Sequence, residues 1–276
     1  MSTSSKRFHR IIHSSNRRRG AAAAAAFSPA SLSGLVTFVE VDRGVEESDG
    51  TVPEDGENIK YWRDEWSGND NDFLQGTTAN QPVYDTSLFG GYSAKFDGTN
   101  DFMAADIAAA RIPTTGDLYV VLFLHTPSGW TGSGENFISC LDSANNRGWA
   151  LYCTSSKLRV NMANNYLSSS LQVDGSTVYA ADTNYIIEVI YNGEADPEPE
   201  DIEIYVNGSE DSYTTISDTL STNTIQGTGD VDIATQQGGA GAFMDMDYAA
   251  IGIYTTIPIP DQRTELRTYL EDKYGG

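Results

Sequence analysis

What most constrains this chain is a period of two. Runs rich in Val, Ile, Tyr, Thr and Phe alternate with clusters of Gly, Asn, Asp and Ser at short spacing along most of its length. In a strand, successive side chains point to opposite faces, so such alternation predicts half-buried strands. Many short strands between closely spaced turns argue for a sandwich or barrel rather than for alternating strands and helices. At 117–125, Leu118, Val120, Leu122 and Leu124 fill one face while Tyr119, Val121 and Phe123 fill the other. A strand apolar on both faces is predicted to be central and covered twice.

The same reading extends outward. Trp149, Leu151 and Cys153 share a face of 148–153. Leu158, Val160 and Met162 share a face of 157–162, with Arg159 and Asn161 turned outward. A hairpin between these segments and residues around 140 places Cys140 opposite Trp149 and Cys153 near Asn136. The two sulfurs are then out of register for a disulfide, so both are expected to be free and buried. Ile202, Ile204 and Val206 alternate up to Asn207-Gly208, a strong two-residue hairpin signal. One helix is predicted, over 261–274. Asp261 is its expected N-cap, Leu266, Tyr269, Leu270 and Tyr274 form its apolar stripe, and Gly275 is its stop. It is expected to lie across the sandwich and cover an edge or end. The acidic stretches 46–57 and 194–201 read as exposed loops.

Charge divides the chain in two. Residues 1–26 hold Lys6, Arg7, Arg10, Arg17, Arg18 and Arg19 and no acid, so this arm carries +6 against −28 for the rest, within a net −22. The arm reads as an anchoring or solubilising segment preceding one domain over 27–276. A secretion signal shares the outline, but a run of only six alanines is a weak apolar core for one. The acidic body is a poor nucleic-acid binder. No apolar run approaches the roughly 18–20 residues of a membrane-spanning helix, so no membrane role is expected.

Several segments, in order, carry a resemblance. They are Phe27-Ser28-Pro29-Ala30-Ser31-Leu32, Trp62-Arg63-Asp64, Ser67-Gly68-Asn69, Asn80-Gln81-Pro82, Phe96-Asp97-Gly98-Thr99-Asn100-Asp101-Phe102, Ile204 to Gly208, and Arg267 to Gly275. Together they resemble the concanavalin A-like, laminin-G-like jelly rolls found in phage virion and bacterial surface proteins. The resemblance covers about residues 27–276 and implies an all-β, two-sheet antiparallel sandwich with a C-terminal helix. It departs at Phe38 and Glu40, where a Trp and an Asp are more usual. The arm resembles virion anchoring arms only in general character.

Three kinds of chemistry come into question for these residues. Glycoside hydrolysis needs two carboxylates about 5–5.5 Å apart for retention. Related glucanases show Glu-x-Asp-x-x-Glu. Asp245-Met246-Asp247 and Asp230-Val231-Asp232 come nearest, but Ala250 and Thr235 stand where the last Glu belongs. No cofactor is expected; calcium is the one candidate ion, at Asp70 and Asp72 in an oxygen-rich loop, against the plainer reading of a solvated acidic loop. Sugar binding calls for an aromatic ring beside polar groups on a rim. Trp66 and Trp130, in Gly/Ser/Asn-rich loops, are the candidates, while Trp62 and Trp149 read as core. His125 reads as a satisfied edge residue.

The leading expectation is a non-enzymatic virion structural protein, a head decoration, head fibre or tail appendage. Its arm would join other virion proteins and its sandwich would face outward, able to meet cell-surface glycan. A homo-oligomer is expected. The alternatives are a soluble carbohydrate-binding, lectin-like module and, third, a glycoside hydrolase.

Overall fold

The computed structural model describes residues 27–143, 146–166, 168–221 and 224–275. The arm, with Lys6, Arg7, Arg10, Arg17, Arg18 and Arg19, lies outside them, as do Ala144 and Asn145 in the 141–148 loop. The strands are β1 (Leu35–Glu40), β2 (Val45–Glu46), β3 (Tyr61–Trp62), β4 (Phe73–Leu74), β5 (Val83–Asp85), β6 (Ser93–Asp97), β7 (Met103–Ala105), β8 (Leu118–Thr126) and β9 (Asn136–Leu141). They continue as β10 (Gly148–Thr154), β11 (Lys157–Asn165), β12 (Ser169–Gly175), β13 (Thr183–Tyr191), β14 (Ile202–Val206), β15 (Ser209–Asp211), β16 (Tyr213–Asp218), β17 (Val231–Ile233) and β18 (Asp245–Tyr254). One α-helix, α1 (Pro260–Tyr274), follows.

Every pairing is antiparallel, and the strands form two sheets. One has eight strands in the order β15-β14-β13-β8-β18-β6-β5, with β1 added alongside β18. The other has ten, in the order β16-β12-β11-β10-β9-β17-β7-β4-β3-β2. This is the all-β sandwich that the alternation predicts. The β8 strand sits between β13 and β18, and all nine of its residues are buried. Leu124 pairs with Tyr248, whose hydroxyl donates to the Phe137 carbonyl of β9, so this face of β8 meets the other sheet. Phe123, on the opposite face, packs 5.9 Å from the Tyr274 ring of α1. The double coverage follows: one side of β8 is sealed by the second sheet and the other by the helix.

Local chemistry explains the details. Asn207 and Gly208 both have positive φ, +50° and +75°, and join β14 to β15 as a two-residue turn. Gly252 of β18 leaves room for the Phe38 ring; a Cβ there would lie 2.6 Å from it. Cys140 pairs opposite Trp149, and both cysteines are free and buried. Burial pushes both thiols up to about 12, which keeps them protonated and inert.

Two expectations about α1 change. Its N-cap is Ile259, not Asp261, because Pro260 takes the first helical position, where its fixed φ fits and its missing N–H costs nothing. Gln262 reaches back to accept from the Ile259 N–H at 3.2 Å. Nor does the helix cover an edge or end. It crosses the outer face of the eight-stranded sheet, meeting Tyr205 of β14, Glu188 of β13, Phe123 of β8 and Glu40 of β1. Leu266, Leu270 and Tyr274 are fully buried there, each such burial being worth roughly 1.5–3 kcal/mol.

Candidate functional site

The two outer sheet faces are built differently, and the sequence-predicted site residues divide between several places. On the helix side, two carboxylates are completely buried. Glu40 accepts from Trp66 Nε1 at 2.7 Å, Tyr269 Oη at 2.7 Å, Lys273 Nζ at 2.9 Å and Tyr274 Oη at 3.3 Å. Glu188 accepts from Tyr119 Oη and Arg267 Nη1, both at 2.8 Å. Glu40 is therefore a hub tying β1, the 64–69 loop and α1 together. Trp66 is a spoke of that hub, and the Arg43 guanidinium lies over its ring at 4.7 Å.

Trp130 is half-buried against the core, 6.3 Å from the Tyr179 ring. Gly132 passes so close beneath that a Cβ would meet the indole. Asp72 is held by Arg63, whose Nη1 donates to it at 2.7 Å, and it also accepts from the Asp64 backbone N–H. Asp70 is exposed at a positive-φ turn. Among the described residues, no three His, Cys, Asp or Glu side chains converge as a metal-ligand group. His125 lies in central β8 rather than at an edge, with Nδ1 2.8 Å from the Asn184 side-chain oxygen.

The outer face of the ten-stranded sheet carries a row of amides and hydroxyls, most of them buried. Register aligns Asp232 of β17 with Ser139 of β9, then Ala150 of β10, Asn161 of β11, Gln172 of β12 and Ser217 of β16. A groove of about 270 Å³ lies over this row. Small Ala150 leaves the space, and Asn161 and Asn136 line it beside Tyr152, Tyr166 and Gln236. The Tyr152 and Tyr166 hydroxyls lie 3.1 Å apart. The opposite wall is the 234–242 loop. It is pinned by Gly238 N–H donating to Asp232 Oδ2 at 2.9 Å and by Gln237 Nε2 donating to the Asp142 carbonyl and the Asn146 side-chain oxygen.

Asn161 is the singular residue of this site. It is 1% exposed, and neither its Oδ1 nor its Nδ2 has a hydrogen-bond partner. An orphaned buried polar atom costs about 1–3 kcal/mol, so an amide with two of them, where Val would suit a strand better, needs a reason outside stability. Alternation turns Asn161 outward from the core, as expected; what alternation does not reveal is that this outward position is sealed beneath a groove. The available signal was local: Ser139, Asn161, Ser170 and Gln172 make an uncharged stretch of outward positions between Asp232 and the Arg159–Asp174 pair, whereas a solvated face in so acidic a chain should carry charge throughout.

The acids considered for hydrolysis form two separate pairs, Asp230 with Asp232 at β17 and Asp245 with Asp247 on β18, and the two pairs belong to different sheets. Asp232 lies on the groove side and Asp247 on β18 of the other sheet, beside His125 in register. Burial raises both to about 6. Among the described residues, no carboxylate lines the groove. A larger hollow, about 870 Å³, lies beside α1 between Phe27, Arg43, Tyr269 and Lys273. Its cations are already engaged by Glu40 and Asp42, which makes it a poorer candidate than the unsatisfied groove.

No protein-family model matches the chain, and no curated protein matches it in sequence. Its fold matches solved structures. The binding domain of Paraclostridial Mosquitocidal Protein 1 superposes with a TM-score of 0.57 at 14% identity, over 87% of this chain and 52% of that one. The binding domain of botulinum neurotoxin DC, solved in complex with rat synaptotagmin II, gives 0.53 at 10% identity, over 86% and 52%. Trypanosoma rangeli sialidase gives 0.55 at 12% identity, over 87% and 33%. The chain thus spans about half the length of the toxin domains it matches. At these identities the likeness defines the class of fold, an all-β two-sheet sandwich, and nothing finer.

Proposed function

We propose that this chain is a non-enzymatic, lectin-like binding module that takes a glycan in the groove over β9, β10 and β11. The observation that carries the reading is the buried, unpartnered Asn161 amide on the floor of a polar groove. A primary amide offers two donors and an acceptor, a set suited to sugar hydroxyls. Tyr152 and Tyr166 supply rings with polar tips beside it. Hydrolysis is disfavoured by the absence of carboxylates from the lining. The test is a glycan array probed with the full chain and with Asn161→Leu. Binding by the first and loss by the second is expected; equal binding by both would remove the groove from the reading.

A virion role, with residues 1–26 as anchor, is a second reading, carried by the +6 and −28 split of charge. It is compatible with the first, because a displayed sandwich can also bind. Mass spectrometry of gradient-purified particles tests it: the chain should be present with its arm, and should be absent from particles when residues 1–26 are deleted.

A further inference from the structure

The groove's charge pattern narrows the ligand further. Its lining is amide, phenol and small apolar side chains, with no charged residue among them. Arg159 is paired in register with Tyr152 and its Nη1 lies 3.5 Å from the Tyr152 hydroxyl, but its charge is already committed. Its Nη2 donates to Asp174 Oδ2 at 2.7 Å and its Nε donates to Asp174 Oδ1, a two-pronged pair that leaves the guanidinium neutralised. Arg147, one residue beyond Asn146 of the lining, turns its Nε to the Asn164 carbonyl at 3.4 Å. Asp232, in the same transverse row as Asn161, is buried and has one carboxylate oxygen unpartnered. Beyond the groove, the body as a whole carries −28.

We propose, resting on the glycan-binding reading above, that the groove selects neutral sugars and rejects those bearing a carboxylate. A neutral pyranose presents adjacent hydroxyls that both donate and accept, which Asn161 and Asn136 can answer without any ion. A sialic or uronic acid would bring a carboxylate into a space whose lining, among the described residues, holds no cation, and would lose its hydration there without a partner. It would also approach against the field of an acidic protein. The rejection is therefore built in twice, once locally and once over long range.

The experiment uses the full chain on an array in which each neutral oligosaccharide is printed beside its sialylated or uronate-bearing counterpart. Titration calorimetry follows for the best pair, at about 50 mM and 500 mM NaCl to separate screened attraction from neutral contacts. The neutral member should bind at least about ten-fold more tightly, since an unpaired buried charge costs more than one missing hydrogen bond. Its affinity should change less than about two-fold with salt. An anionic member binding equally well or better would overturn the proposal while leaving the glycan reading standing. No binding to any member would overturn the glycan reading and this proposal with it.

Discussion

The two outer sheet faces make a natural experiment in how buried polar groups are used. Over the eight-stranded sheet, Glu40 and Glu188 are fully buried and fully engaged, each by a cation of α1 and by one or more phenols. Over the ten-stranded sheet, Asn161 and Asp232 are equally buried, yet Asn161 has no partner and Asp232 lacks one at Oδ1. Burial alone separates nothing here. Satisfaction does: where the protein itself completes the hydrogen bonds, the group holds structure together. Where it leaves them incomplete, the surroundings decide: Arg263 of α1, with Nε and Nη1 unpartnered, is covered by the Tyr205 ring, whereas the Asn161 amide lies on the floor of a groove that a ligand can enter.

The comparison breaks most sharply at Arg267. This side chain passes over the Asn207-Gly208 turn, close enough that a Cβ on Gly208 would lie 2.9 Å from its Nε, to reach Glu188. Arg267→Ala leaves a wholly buried carboxylate with one phenol, and should cost about 3–5 kcal/mol in urea unfolding. Glycan binding measured well below the melting transition should be unchanged. A cost under about 1 kcal/mol would mean that the helix does not seal this face as described.

pH sharpens it next. Burial raises Asp101, Asp232 and Asp247 to about 6 each, against about 3.9 in an unfolded chain. A raised acid favours the folded state at low pH. Its contribution is complete below the unfolded value and is lost as pH climbs through about 6. Unfolding free energy should therefore be greater at pH 5 than at pH 7, by about 1 kcal/mol from each of Asp232 and Asp247 over that interval and by less from the partly solvent-screened Asp101. Asp232→Asn should remove its share of the slope; an unchanged profile would show that this carboxylate is not sequestered beneath the 234–242 loop.

Trp66 gives a smaller effect. Trp66→Phe keeps a ring under Arg43 but deletes the donor to Glu40 Oε2. Glu40 retains its other partners, so the loss should be about 1–2 kcal/mol in chemical unfolding. Glycan affinity in the groove should not move; a loss of affinity would return Trp66 to the ligand side of the molecule.

These cases show what was legible in the sequence. The sandwich, doubly covered β8, the unpaired cysteines and the Asn207-Gly208 turn all follow from local period and turn chemistry, because each is decided within a few residues. The seat of α1 and the Glu40 hub were not legible: Glu40 meets Tyr269 and Lys273 across more than 200 residues of chain, and no local pattern encodes such a meeting. The groove was half legible. Alternation places Asn161 on the outer face correctly, but only the register of β9, β10 and β11 gathers Asn136, Tyr152 and Asn161 into one place.

The smallest expected change in stability carries the most about function. In Asn161→Leu a polar group with neither atom partnered is replaced by an apolar one of similar size. Removing an unsatisfied amide relieves its desolvation cost, so unfolding free energy should stay within about 1 kcal/mol of the parent or rise. Glycan binding should fall by more than about ten-fold. That pairing of an unharmed fold with lost binding is the signature of a residue kept for a ligand. A destabilisation of about 2 kcal/mol or more would instead mean that Asn161 is held by bonds within the protein, and the contrast between the two faces would collapse.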